Sequence, residues 1–161
     1  MNAHQESESD EVEALVVDMC RQHDNAPAAL LEILHDIQDA VGHVPQSSLA
    51  AIADALNLSR AEVHGVVSFY HDFRAAPAGT VTVKVCRAEA CQSMGALTLI
   101  EDLCRRHGVT LGETSADKGL TIEPIYCLGN CALSPAALVN GKPVGRADVE
   151  RVDGAIREAR S

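Results

Sequence analysis

Residues 81–91 read VTVKVCRAEAC and decide how the second half of this chain folds. Valine recurs at every second position from Val81 to Val85, which is the period of a β-strand with one buried face. The strand ends on Cys86, and four residues separate that cysteine from Cys91. This stretch predicts a strand that leads directly into a loop carrying two thiols.

A second pair of cysteines follows the next predicted strand. Leu120, Ile122 and Ile125 indicate that strand, Cys127 ends it, and three residues separate Cys127 from Cys131. Thirty-five residues lie between the two cysteine pairs. Because two neighbouring strands can end at the same edge of a sheet, we expect all four thiols to face one site.

Four thiolates complete either a [2Fe–2S] cluster, with two ligands on each iron, or a tetrahedral zinc site. The spacing leaves both metals open, because zinc sites also place two to four residues between paired cysteines. The spacing disfavours a plant-type ferredoxin, in which the second pair of cysteines is separated by only two residues. It also disfavours a dithiol oxidoreductase, because neither pair here is C-x-x-C. Gly129 lets the loop backbone approach sulfur closely, while Arg87 either offsets the cluster charge or is a solvated surface residue.

The first half of the chain has the period of helices. Residues 12–20 place their apolar side chains on one helical face, and three further helices follow. The first of these three has a start signal at Asn25 and Pro27 and a stop signal at Gly42. The second starts at Pro45 and Ser47, and the third starts with a capping box formed by Ser59 and Glu62.

The second half alternates strands and helices. We expect a helix over about 93–107, a hairpin turn at Asn140-Gly141 and a last helix over about 147–160. The period changes between residues 74 and 80, which is where we place the domain boundary. The predicted organisation is a disordered acidic tail over 1–10, a helical domain over 11–74 and an α/β domain over 80–161.

The formal charge of −10 disfavours nucleic acid and anionic lipid as partners. No apolar stretch is long enough to cross a bilayer, and the acidic start of the chain lacks the features of a secretion signal, so we expect a cytoplasmic protein without membrane insertion. In that compartment cysteines are metal ligands or buried thiols rather than disulfides. Cys20 and Cys104 fall on apolar helical faces and are expected to be buried hydrophobes.

No catalytic constellation is present in the sequence. His35, His43, His64 and His71 show no metalloenzyme spacing, and neither phosphate-binding glycine motif occurs. No Ser-His-Asp arrangement or pair of catalytic carboxylates can be argued. The chemistry of the chain is expected to reside in the four-cysteine site.

The cysteine pattern C-x₄-C then C-x₃-C, after a helical region containing LHDIQ at residues 34–38, resembles the thioredoxin-like [2Fe–2S] subunit of NADH dehydrogenase modules. Respiratory complex I, NAD-reducing hydrogenases and NAD-dependent formate dehydrogenases carry such a subunit. Residues 60–74, RAEVHGVVSFYHDFR, and 86–95, CRAEACQSMG, are similar to the gamma subunit of the soluble, molybdenum-containing, NAD-dependent formate dehydrogenase.

The resemblance implies an α+β fold, in which an N-terminal helical bundle precedes a thioredoxin-like α/β domain. It implies one [2Fe–2S] cluster, with its ligands carried over to Cys86, Cys91, Cys127 and Cys131. The partners would be a flavin- and Fe–S-bearing beta subunit, against which the helices pack, and a large molybdenum-containing alpha subunit.

In that setting the chain would be a non-catalytic electron-transfer subunit of an oxidoreductase complex, where it exchanges electrons with FMN during formate oxidation coupled to NAD reduction. The alternatives are the equivalent subunit of complex I or of an NAD-reducing hydrogenase and, from another class, a zinc-stabilised interaction module.

Overall fold

The computed structural model describes the backbone of residues 3–161 and the side chains of residues 11–161. The chain divides into two compact units, one up to Pro77 and one from Ala78 to Ser161. Each unit has a hydrophobic core of its own, and the two are described in turn.

The N-terminal unit is helical. Its helices are α1 (Ala3–Gln22), α2 (Leu30–Val41), α3 (Leu49–Leu56) and α4 (Arg60–Phe69), with short 3₁₀ turns at Pro27–Ala29 and Gln46–Ser48 before α2 and α3. Apolar side chains at helical spacing meet in one core, whose largest buried members are Ile33, Leu34, Ile37, Leu49, Ile52 and Leu56.

Local signals set most of the helix ends in this unit. At α4 the hydroxyl of Ser59 accepts a hydrogen bond from the Glu62 N–H, while the Glu62 carboxylate accepts one from the Ser59 N–H at 2.8 Å. The predicted capping box is therefore confirmed. Gly42 ends α2 in the left-handed conformation, as expected for a C-cap glycine.

The C-terminal unit is built on a four-stranded mixed sheet. Its strands are β1 (Val81–Cys86), β2 (Leu120–Ile125), β3 (Ala136–Val139) and β4 (Lys142–Gly145), in the order β2-β1-β3-β4. β1 pairs in parallel with β2, whereas β3 pairs antiparallel with both β1 and β4. The hairpin between β3 and β4 turns at Asn140-Gly141, as the sequence predicts.

Three helices complete this unit: α5 (Glu89–Ser93), α6 (Ala96–His107) and α7 (Val149–Arg160). The alternating valines of β1 contribute buried side chains to the core, which α6 and α7 cover with Leu99, Leu103, Val152 and Ile156. The buried carboxylate of Asp153 on α7 accepts hydrogen bonds from Arg106 and pairs with His107, both in the last turn of α6. The order of the elements is the predicted one, with N-terminal helices followed by an α/β domain.

Three local predictions differ from the structure. The helix expected over about 93–107 begins three residues later, at Ala96, because Gly95 adopts a left-handed φ of 89°, and the separate short helix α5 before it was not expected. Asn25 does not cap a helix, since the 3₁₀ turn begins after Ala26 without a side-chain cap. The predicted tail of residues 1–10 has helical backbone from Ala3 on, and its first two residues lie outside the described part of the chain.

No helix in the described part of the chain has the length and apolar character needed to cross a bilayer.

Candidate metal centre

The sheet brings the two cysteine pairs to one edge. In the parallel β1–β2 pairing Cys86 lies opposite Ile125, so both strands end at the same level. Cys127 comes two residues after the end of β2, and Cys131 begins a 3₁₀ turn, Cys131–Leu133. Cys91 returns to this edge within the short helix α5.

The two pairs differ in burial. Cys86 and Cys91 are buried and pack with Ala96 and Ala136 in a small apolar cluster, whereas Cys127 and Cys131 are exposed. The Sγ atoms of Cys127 and Cys131 lie 4.0 Å apart. One pair therefore faces the protein interior and the other faces solvent.

Ser134 connects the two pairs. Its hydroxyl oxygen lies 3.5 Å from the Sγ of Cys91, and the hydroxyl donates a hydrogen bond to the carbonyl of Cys131 at 2.8 Å. Sequence reasoning did not single out this serine. Its position immediately after the last cysteine turn was the one signal available for finding it.

The loop after β2 directs backbone donors at sulfur. Cys127 itself has a left-handed φ of 58°, and Gly129 has one of 76°. This turn aims the N–H groups of Cys127 and Leu128 at the Cys86 sulfur. Consecutive N–H groups that converge in this way stabilise negative charge.

The ionisation of the thiols follows from these contacts. Burial by itself raises the pKa of Cys86, but a hydrogen bond from the Ala88 N–H and another from the Cys91 side chain oppose it. Together with the two N–H donors of the next loop, these bonds leave the Cys86 pKa below its ordinary value.

Cys131 shows the opposite shift. Its pKa is raised, first by its hydrogen bond to Cys127 and then by the negative charge of Cys127 and, more weakly, of Cys91 and Cys86. The other three sulfurs are therefore close enough to oppose the ionisation of Cys131. A positively charged metal centre would remove that opposition.

The arrangement can supply two sulfur ligands to each of two irons. A tetrahedral zinc ion with Zn–S bonds of about 2.3 Å needs its sulfurs about 3.8 Å from one another. Among the described residues no group of three His, Cys, Asp or Glu side chains converges on one ion position. Two separate pairs, one with its sulfurs 4.0 Å apart, match the requirement of two ligands for each of two irons.

Arg87 is held beside the site by its backbone. Its N–H donates to the Ile125 carbonyl at 2.7 Å, and its carbonyl accepts from Gln92 at 2.6 Å. The side-chain Nε is buried and has no hydrogen-bond partner among the residues that the structure describes. The alternative of a fully solvated arginine is therefore wrong for this nitrogen.

The remaining candidates lie apart from this centre. Cys20 is buried in the N-terminal core as predicted, while Cys104 is half-buried against the other core, where burial raises its pKa. Among the histidines of the first half, the ring of His35 packs on Phe73 with centroids 4.9 Å apart.

Fold and site together define a class of protein, an α/β domain that presents four cysteines as two pairs at one edge of its sheet. A sequence model described as thioredoxin-like [2Fe-2S] ferredoxin matches residues 16–160. The chain belongs to this family, and membership implies one [2Fe–2S] cluster in the role of an electron carrier.

The similarity to known proteins extends over most of the chain. It is 32% identical over 135 residues to a subunit of the NADH-quinone oxidoreductase of Pseudomonas aeruginosa, covering 84% of this chain and 80% of the relative. It is 37% identical to the subunit of the same name in Aquifex aeolicus, covering 70% of each chain. The HndA subunit of the NADP-reducing hydrogenase of Solidesulfovibrio fructosivorans is 30% identical, with 80% of this chain and 75% of the relative covered.

A solved structure is also similar. The crystal structure of NAD⁺-reducing [NiFe]-hydrogenase in the air-oxidised state contains a chain that superposes with a TM-score of 0.68 at 28% identity. The match covers 82% of this chain but only 23% of the hydrogenase chain.

Proposed function

We propose that this chain is the [2Fe–2S] electron-transfer subunit of a cytoplasmic NADH- or NADPH-linked oxidoreductase complex. The observation that carries the proposal is the convergence of Cys86, Cys91, Cys127 and Cys131 at one sheet edge as two pairs. These four residues are the proposed cluster ligands. The cluster, when bound, supplies one-electron exchange, and the reactions of the substrates belong to other subunits.

The two cysteine pairs are proposed to have different roles, one in stabilising negative charge on the cluster and the other in exposing it to an electron-transfer partner. The buried Cys86 accepts hydrogen bonds from N–H groups of the following loop, and such donors stabilise the more negative, reduced state of a cluster. The exposed Cys127 and Cys131 leave one side of the site open to solvent. Electrons are proposed to enter and leave by that side.

The names of the relatives support the choice of complex. One set of relatives belongs to NADH-quinone oxidoreductases and another to an NADP-reducing hydrogenase. Both enzyme types exchange electrons with a nicotinamide, which needs a flavin to convert hydride chemistry into single electrons. The proposed neighbour is therefore a flavin- and Fe–S-bearing subunit. The six cysteines are free thiols, which fits the reducing conditions of the cytoplasm.

Anaerobic purification tests the metal assignment. We expect two irons and two acid-labile sulfides per chain, visible absorption, and an EPR signal of a two-iron cluster after reduction. A colourless protein with one zinc would instead establish the zinc-stabilised interaction module. Activity that follows thiol oxidation without iron would favour the dithiol oxidoreductase.

A second candidate for the parent enzyme is the molybdenum-containing, NAD-dependent formate dehydrogenase. It is favoured by the similarity of residues 60–74 and 86–95 to the gamma subunit of that enzyme. Its large molybdenum-containing alpha subunit would then be a partner, and formate would reduce the cluster.

Purification of the native complex through a tag on this chain separates the parent enzymes. Molybdenum with formate-dependent cluster reduction identifies the dehydrogenase, and nickel with hydrogen-dependent reduction identifies a hydrogenase. Cluster reduction by NADH alone, with neither metal, identifies the NADH-quinone oxidoreductase type.

A further inference from the structure

An apolar groove runs along α4 in the N-terminal unit. It has a volume of about 530 Å³ and is lined by the start of α2, by Leu58, and by α4 residues that include Glu62, Gly65, Val66 and Phe69. These α4 positions follow the i, i+3, i+4, i+7 spacing of one helical face. The face lies open, since Phe69 is 72% exposed and the adjoining Tyr70 43%.

Two residues of this face, Val66 and Phe69, form a second apolar surface on α4. The first consists of Val63 and Val67, which are buried in the core of the unit. A helix that is apolar on both sides normally has partners on both sides. Large exposed aromatic side chains beside half-buried Val66 mark a surface that something else covers.

Gly65 adds an independent observation. It lies in the middle of α4, where glycine is a poor helix former, and its φ is not left-handed. A Cβ at this position would meet no atom of the described residues within 4 Å. No contact among the described residues therefore explains why this position is a glycine. A second helix crossing the groove here would explain it, because helices approach each other most closely over a glycine.

The charge of the N-terminal unit indicates what kind of helix would occupy the groove. The N-terminal unit holds thirteen Asp and Glu residues and only three basic residues, Arg21, Arg60 and Arg74, so it carries the whole formal charge of −10. The C-terminal unit holds ten acidic and ten basic residues. Glu62 places an acidic group in the groove lining itself. A second copy of the chain would bring this acidic unit onto an equally acidic one, which repulsion disfavours.

We propose that the α4 groove seats a basic amphipathic helix of a partner subunit, crossing at Gly65 with its apolar side chains against Phe69 and its Lys or Arg side chains toward the acidic surface. The inference rests on the proposed function in that it requires a partner subunit. It adds the surface that the partner occupies and the chemistry of the partner segment.

The first test uses a synthetic helical peptide of about twenty residues, with Leu and Phe on one face and Lys on the other, and a second peptide with Glu in place of Lys. Binding to the cluster-loaded full chain is followed by fluorescence anisotropy. We expect the Lys peptide to bind, with affinity falling as salt rises, and the Glu peptide to bind at least tenfold more weakly.

Gly65→Leu fills the floor of the groove, and His64→Leu is the matched control. His64 is exposed on the same helix but outside the groove lining, so both variants add the same side chain. We expect Gly65→Leu to retain the wild-type melting temperature or exceed it, because leucine is a better helix former. It should nevertheless bind the Lys peptide at least tenfold more weakly, while His64→Leu binds as wild type does. Equal binding by the two variants would overturn the proposal.

The second test places a photo-cross-linking amino acid at Phe69 in the native complex. We expect the cross-linked peptide to be a helical, Lys- or Arg-bearing segment of a partner subunit. Cross-links only to a second copy of this chain, or none at all, would reject the inference. The EPR signal of the same sample reports on the cluster separately, so a lost cluster contradicts the proposed function and leaves the groove result readable.

Discussion

Replacing Asp153 by alanine should destabilise the C-terminal unit strongly. The Asp153 side chain is only 7% exposed and pairs with Arg106 Nε at 2.7 Å and with His107 Nε2 at 2.8 Å. These contacts join the last turn of α6 to α7, so the variant removes two polar links between the helices on this side of the sheet.

The expected magnitude follows from the burial of each partner. The Arg106 side chain is 53% exposed and can be rehydrated, so its pair contributes about 0.5–1 kcal/mol. The His107 side chain is 21% exposed, and losing its carboxylate partner costs about 1.5–3 kcal/mol. Alanine recovers about 0.5 kcal/mol as the better helix former. The net loss is about 1.5–3.5 kcal/mol, or roughly 6–28 °C in melting temperature for a unit of this size.

The assay is thermal unfolding of the cluster-loaded chain by circular dichroism, with Asp102→Ala as the matched control. Asp102 also pairs with an arginine of α6, Arg105, at 3.0 Å, but both side chains are well exposed, so its loss should cost less than about 1 kcal/mol. Equal shifts for the two variants would refute the reasoning from burial. The EPR signal should be unchanged, because the twelve residues of α6 place His107 about 18 Å from its start near Cys91.

Three further changes test the site and the helical unit. Cys127→Ser should abolish or strongly alter the cluster absorption and EPR spectrum, whereas Cys104→Ser should leave both unchanged; an unaltered Cys127→Ser spectrum rejects that ligand. Hydrogen bonds from Ser59 hold the pKa of Glu62 below its ordinary value, so the capping box stabilises α4 above the unfolded pKa and that stability is lost as pH falls through the lower folded value. In Ser59→Ala the loss of helix on acidification should depend less on pH than in the wild type. Acid titrations by circular dichroism that are identical for the variant and the wild type would count against this. Removal of iron should make the exposed Cys127 the first thiol to react with an alkylating reagent; mass spectrometry showing the half-buried Cys104 labelled first would contradict the described site.

The local structure of this protein was largely readable from its sequence because the signals act over three or four residues. The capping box at Ser59 and the turn at Asn140-Gly141 depend only on their neighbours, and both form as expected. The break at Gly95 was missed because the apolar residues that indicated the helix, Leu97, Ile100 and Cys104, all lie after it and do not reveal a left-handed residue before them.

The sequence predicted that the two cysteine pairs lie at one sheet edge, but it did not predict that the pairs differ in burial. Spacing relative to two strands sufficed to expect Cys86 and Cys127 at one sheet edge. That one pair is buried and the other exposed depends on what packs around each loop, which spacing does not encode. The left-handed conformation of Cys127, which aims N–H groups at Cys86, is likewise unusual for a residue other than glycine and was not foreseen.

The sequence by itself determined the alternation of helices and strands, the four thiols and the total charge, because these follow from residue type and short-range order. Only the tertiary structure decided that the thiols meet as two unlike pairs, since that requires β1 and β2 to lie side by side in parallel. It also decided that the face of α4 around Gly65 remains open, because whether an apolar face is covered depends on which distant segments of the chain reach it.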